Sequence, residues 1–247
     1  MAFADPTVKM NALKVDLHLH SSEDPVDNIS HDALALIDRA AVLGFDVLAF
    51  TLHDRLLDDS RIFGYARDRG ITLLPGVERS IRGRHVLLIN VAGAENVRTF
   101  DELARLKARS NGLVIAPHAF FPDRTCLRSL INEHPDVFDA VEWSYFWTRG
   151  INFNAPAAKW AAAHGKPLVG NSDTHDLRQL GRTHSWVESD RDPEAICEAI
   201  RAGRVRLQTE PVPPLELMRV FGGMMMRGKK SYPSRTRSAT SPTIVSP

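Results

Sequence analysis

Short apolar runs alternate with capped amphipathic segments along almost all of this 247-residue chain, and that alternation restricts the fold more than any other feature. Strand-like runs fall at 14–17, 46–51, 71–74, 85–91, 113–117, 140–143, 167–170, 185–188 and 205–209. The helices between them carry end signals. Ser30 is placed to cap a helix that Gly44 stops, and Thr99 with Glu102 spells a capping box. Asp192-Pro193 opens a helix ending at Gly203, and Gly165 ends an Ala-rich helix through Trp160. Repeated βα units predict a parallel sheet, and this many of them predict an α/β fold closed into a barrel.

A hydrophobic content of 43% with 25% charged residues supplies one large core. The net charge of +1 argues against a chain that binds polyanions through overall charge. The charge is nevertheless uneven. Residues 211–247 hold six Lys/Arg against Glu216 alone, within a Pro/Ser-rich stretch. We therefore expect a barrel domain over 1–210 and a partly disordered basic tail over 211–247, with one short helix over 215–226. Such a tail offers a contact for a polyanion, although a solvated tail without function is the commoner case. Cys126 and Cys197 fall in predicted helices as buried free thiols, which suits a reducing cytoplasm. The N-terminal residues do not read as a signal peptide, and no run is long enough to span a membrane.

Chemistry-bearing residues cluster where strands end. His18 and His20 follow the first strand, His53 and Asp54 the second, and Glu78 the third. His118 follows the fifth, and Asp173 with His175 the seventh, whereas His85 begins a strand. In a parallel barrel these ends share one face, so the pattern predicts imidazoles and carboxylates converging on a metal centre. His31, His134, His164 and His184 read as surface or packed histidines. Glu78 is suited to bridge two ions, while Asp16 and Glu142 could orient imidazoles from behind.

The segments Asp16-Leu17-His18-Leu19-His20-Ser21, Thr51-Leu52-His53-Asp54, Gly76-Val77-Glu78, His85-Val86-Leu87, Pro117-His118 and Ser172-Asp173-Thr174-His175 occur in that order. In them the chain resembles the polymerase-and-histidinol-phosphatase (PHP) family of metal-dependent phosphoesterases. The resemblance implies a distorted (β/α)7 TIM-like barrel with two or three divalent ions, zinc, manganese or iron. It implies a first ion on His18, His20, Glu78 and Asp173, and a second on Glu78, His85 and His118. A third would take His53 and His175. The family's further ligand after His20 is replaced here by Val26; the nearby carboxylates are Glu23, Asp24 and Asp27, and Asp24 is taken as the substitute. Leu52 stands where the family usually has Asp, and Asp54 remains a supporting candidate.

That reading predicts hydrolysis of a phosphate ester by a metal-activated hydroxide held over Glu78, Asp173, His18 and His20. Arg55, Arg149 and Arg178, in predicted rim loops, are candidates to fork the phosphate. The substrate could be a small phosphorylated metabolite, a nucleotide or an oligonucleotide 5′ end. Phe120, Phe121, Trp143, Tyr145, Phe146 and Trp147 offer either a stacking surface or barrel packing. An amidohydrolase-type barrel and a non-catalytic metal-binding accessory module are the alternatives.

Overall fold

The computed structural model describes residues 12–230. Nine strands form one sheet: β1 (Ala12–Leu19), β2 (Val47–Phe50), β3 (Thr72–Ile81), β4 (Arg84–Ile89), β5 (Leu113–Ala116), β6 (Ala140–Ser144), β7 (Leu168–Asn171), β8 (Thr183–Glu188) and β9 (Val205–Thr209). Their order is β7-β6-β5-β4-β3-β2-β1-β8-β9, and the sheet curls until its ends nearly meet. Beyond β7, Thr174 bridges to Leu19, and Ser185 of β8 exchanges hydrogen bonds with the Gly170 backbone. A Cβ at Gly170 would stand 2.4 Å from Leu207 and 2.7 Å from the His184 carbonyl, so this closure needs glycine.

All nine expected strands are present, but they do not all run the same way. β1, β2 and β3 are parallel to one another, as are β5, β6 and β7. β4 is antiparallel to both β3 and β5, and β8 and β9 are antiparallel to their neighbours. The reason is local. β3 is ten residues long instead of the expected four, and it turns at Arg82-Gly83, both at positive φ, directly into β4. A tight hairpin leaves no room for the crossover that a parallel pair requires.

Among the described residues six α-helices accompany the sheet: α1 (Ala33–Val42), α2 (Ser60–Asp68), α3 (Phe100–Lys107), α4 (Asn154–Ala163), α5 (Pro193–Arg201) and α6 (Pro214–Arg227). The capping box at Thr99/Glu102 forms, and Asp192 caps α5 ahead of Pro193. The cap of α1 is Asp32 rather than Ser30, because the Asp32 carboxylate accepts from Ala35 N at 2.8 Å. Leu13, Val15, Leu17, Leu87 and Ile115 fill the barrel interior together with Ile196 and Ile200 of α5. Separate apolar layers lie under α1 and α2 and under α3 and α4. Cys197 is in α5 as expected, whereas Cys126 lies in the loop after β5 and not in a helix. The tail expectation over 231–247 lies outside the described residues. Among the described residues no helix is long and apolar enough to cross a membrane.

His184 on β8 is buried, donates through Nδ1 to the Gly181 carbonyl at 3.0 Å and leaves Nε2 unpartnered. Burial, with Lys14 nearby, lowers its pKa to about 4. The unfolded imidazole takes a proton near pH 6.5 and the folded one only near pH 4, so this residue costs stability as pH falls between those values. His184→Gln should therefore flatten the loss of denaturant stability between pH 7 and pH 5 by up to about 2 kcal/mol. An unchanged slope in urea melts at the two pH values would refute this.

Candidate metal centre

A register irregularity between Asp16 and Leu19 reverses the alternation of β1 near its end. Leu13, Val15 and Leu17 face the barrel interior, Leu19 faces the helix layer, and His18 and His20 enter the mouth above Leu17. Such bulges re-aim side chains at barrel rims. Asp16 holds the distorted strand by accepting from Ser172 N and His18 N, each at 3.2 Å. Burial pushes its carboxyl up to about 7, with those hydrogen bonds opposing.

Glu78, on the part of β3 that rises past the barrel rim, is the centre of the cluster. Its Oε1 lies 2.7 Å from His85 Nδ1, 3.1 Å from His118 Nε2 and 3.5 Å from His18 Nε2. Its Oε2 lies 3.2 Å from His53 Nε2 and 3.3 Å from His20 Nε2. Across from it, Asp173 Oδ1 stands 3.4 Å from His18 Nε2 and from His175 Nδ1, and 3.5 Å from His20 Nε2. Asp173 and His118 both have positive φ, 49° and 29°, which turns their side chains back toward the barrel axis. His85 belongs to this ring because β4 runs backward, so its first residues are at the mouth.

A second tier of groups fixes the imidazoles. Glu142 accepts from His18 Nδ1 at 2.8 Å and from Asn171 Nδ2 at 3.0 Å through Oε1, and from His118 N at 2.7 Å through Oε2. Asp24 Oδ2 lies 2.9 Å from both His20 Nδ1 and His53 Nδ1, and its Oδ1 accepts from Val26 N and Asp27 N. Cys126 Sγ is 3.3 Å from His118 Nδ1, and Gln179 Oε1 accepts from His175 N at 2.8 Å. With Nδ1 of His18, His20 and His53 turned to carboxylates, their Nε2 atoms are directed at the centre.

Burial alone would neutralise Glu78, Asp173 and His53, yet their attraction to neighbouring groups wins. Glu78 is held well below the usual carboxylate range by His85, His18 and His53. Against the same burial, Asp173 falls to about 2 beside His18 and His175, and His53 rises to about 9 beside Glu78 and Asp24. Protons and divalent cations compete for the same lone pairs, so acid opposes cation binding at such a site.

The donor set fits divalent cations. His18 Nε2 and His20 Nε2 are buried with no hydrogen-bond partner. A buried polar atom left so costs several kcal/mol at the upper end, roughly 1–3 in proteins, unless something else takes its lone pair. The separations of 3.2–3.5 Å between imidazole nitrogens and carboxylate oxygens are too long for good hydrogen bonds. They match the edge of a tetrahedron whose corners lie about 2.0–2.2 Å from a shared ion. Five overlapping donor trios have their atoms within 4.8 Å of one another: His18–His20–Glu78, His18–His118–Asp173, His20–Asp173–His175, His20–Asp24–His53 and His53–Glu78–His85.

The cluster thus gathers His18, His20, His53, Glu78, His85, His118, Asp173 and His175, with Asp24 behind two of the imidazoles. Asp54 is elsewhere: it is half exposed and pairs with Arg79 Nη1 at 2.6 Å and Ser80 N at 2.7 Å, fastening β3 and not an imidazole. Asp16 likewise grips backbone and no ring. Arg55, Arg149 and Arg178 are absent from the cavity above the cluster; Arg178 is engaged by Asp176 and Arg55 reaches the Glu23 carbonyl. The cations lining that cavity, about 510 Å³ in volume, are Arg227 and Lys229. Asp27, one of the three nearby carboxylates but passed over for Asp24, has its Oδ2 3.1 Å from His175 Nε2 and 3.8 Å from His53 Nδ1. Asn171, Gln179 and Cys126 were missed. Only Asn171, inside the Asn171-Ser172-Asp173-Thr174-His175 run, carried a sequence signal.

Residues 152–205 match the PHP_C family, described as PHP-associated. No curated protein matches the chain. Among solved structures, PsfC from Pseudomonas syringae PB-5123 is similar at a TM-score of 0.59 and 19% identity, over 88% of this chain and 98% of that one. A candidate metal-dependent phosphoesterase from Bifidobacterium adolescentis ATCC 15703 is similar at 0.52 and 14%, over 87% and 96%. The lesion-specific endonuclease PfuEndoQ from Pyrococcus furiosus is similar at 0.57 and 21%, over 79% of this chain and 57% of that chain. The likeness to these three structures is one of fold, a nearly closed mixed barrel, and the PHP-associated match falls within its later βα units.

Proposed function

We propose that this protein is a metal-dependent phosphoesterase that hydrolyses a phosphate ester in the cavity over Glu78. One observation carries the reading: two orphaned buried imidazole nitrogens face shared carboxylates on the floor of a cavity that cationic side chains also line. His18, His20, Glu78 and Asp173 would hold one divalent ion, and Glu78, His85 and His118 a second. His53 and His175 would serve a third, with Asp27 as its carboxylate in place of Asp24. Asp24 is better used as an orienting group, since its two oxygens already take two Nδ1 atoms and the backbone of Val26, Asp27 and His53.

Ions bound there supply Lewis acidity toward a phosphoryl oxygen and toward water. The chain contributes the rest. Glu142 and Asp24 set which nitrogen of each imidazole faces inward, Glu78 places one carboxylate between two donor sets, and Arg227 and Lys229 attract the anionic group. The volume suits a small phosphorylated molecule or the end of a short nucleic acid. Residues 214–230 belong functionally with the barrel, since they form part of the cavity wall.

Chelator-treated protein should lose turnover of aryl phosphates and recover it with zinc, manganese or iron. Asp173→Asn should lower kcat/KM by at least about 10²-fold while the circular-dichroism spectrum stays native. A fully active Asp173→Asn protein, or activity indifferent to chelation, would sink the proposal. Glu142→Gln keeps shape but removes the charge and one of the two acceptor oxygens that serve His18 Nδ1, Asn171 Nδ2 and His118 N, so titration should show divalent binding weakened by about 10- to 100-fold. Unchanged affinity would remove Glu142 from its orienting role.

A further inference from the structure

The wall of the cavity opposite the barrel is made by α6 and the residues just after it, and most of its side chains are apolar. Phe221, Met224 and Met225 of α6 face the opening together with Phe121 after β5 and Phe146 after β6. Phe146 and Phe221 have ring centroids 5.1 Å apart at 34°. This is not core packing: Phe221 remains 45% exposed and Met225 83% exposed. Exposed aromatic and methionine side chains around one opening are costly unless something covers them.

The segment is also fastened to the loops that bear the donor residues. Lys230 Nζ donates to the carbonyls of Ser22 and Asp24 at 2.8 Å and, more tightly, 2.6 Å, and Lys230 N to Val26 O at 2.7 Å. Arg227 Nη2 donates to the His175 carbonyl at 3.1 Å, and Asn28 Nδ2 to the Arg227 carbonyl at 3.0 Å. Glu216 joins Tyr145 and Arg182 at the other end of α6. The apolar wall is thereby held at a set distance from the floor, with Lys229 at its edge.

Resting on the phosphoesterase reading, we infer that α6 and residues 228–230 form a leaving-group subsite, and that the substrate is a phosphate ester whose alcohol half carries an aromatic ring. The anionic group sits on the donor cluster beneath Lys229, and the ring sits among Phe121, Phe146, Phe221 and Met225. A cavity of about 510 Å³ has room for both. Aromatic stacking and methionine contact are favourable to any flat ring, whether phenyl or nucleobase.

The test uses hydrolytically inert phosphonates on the full chain loaded with manganese. By calorimetry, phenylphosphonate should bind at least tenfold tighter than methylphosphonate. Phe221→Ala and Met225→Ala, both at exposed positions, should each lower that ratio at least threefold. Lys230→Met, which touches no ligand but frees the segment, should lower it as well. Equal binding of the two phosphonates to the natural protein, or a ratio that none of the three substitutions moves, would overturn the subsite. Turnover of phenyl and methyl phosphate is measured in parallel. Ring preference in binding without turnover of either ester would end the phosphoesterase reading and leave the subsite standing; equal kcat/KM for both would end the subsite and leave the activity.

Discussion

A single carboxylate, Glu78, sits within 3.5 Å of five imidazoles while almost wholly buried. Placing one charge so deep is tolerable only when every neighbour compensates it, and five rings from four segments cannot meet there by local structure. The barrel solves this by bringing strand ends to one rim. β3 then overshoots the rim so that its seventh residue, and not its last, reaches the centre. The overshoot forces the hairpin, and the hairpin reverses β4. Much of the irregularity in an otherwise parallel sheet follows from lifting one glutamate above the floor.

Most of the architecture was legible because its signals are local. Apolar runs located all nine strands, and Thr99 and Asp192 marked helix starts through side chains that bond within three residues. What escaped was decided at long range. The direction of β4 depends on how far β3 extends, and nothing in Ile71–Leu74 announces that it continues to Ile81. Ser30 and Asp32 are equivalent cap residues on paper, and only the path of the entering chain selects Asp32.

The candidate site divides the same way. Histidine and acid at strand ends were readable, since the strand pattern supplies their common face. Glu142 was flagged by its place at the end of β6. Asp54, in an equivalent place, turned to Arg79, because its backbone at φ 52° directs it outward. Asp27 and Cys126 lie in loops whose course is set by the whole rim. The arginines nominated for the phosphate do not line the cavity, and the cations that do line it come from a stretch that composition assigned to a tail. Proline, glycine and methionine around 211–226 do look like a chain leaving a domain. They read otherwise only once Lys230 is seen tied to residues 22–26.

That tie bears on how the protein should be handled at the bench. β1 begins beside the end of β8 on the barrel floor, with Ala12 paired to Glu188, whereas Lys230 lies at the rim, tied to Ser22 and Asp24. A histidine-rich affinity sequence inserted beside Lys230 would therefore set extra imidazoles next to the donor cluster, where they would compete for the same cations.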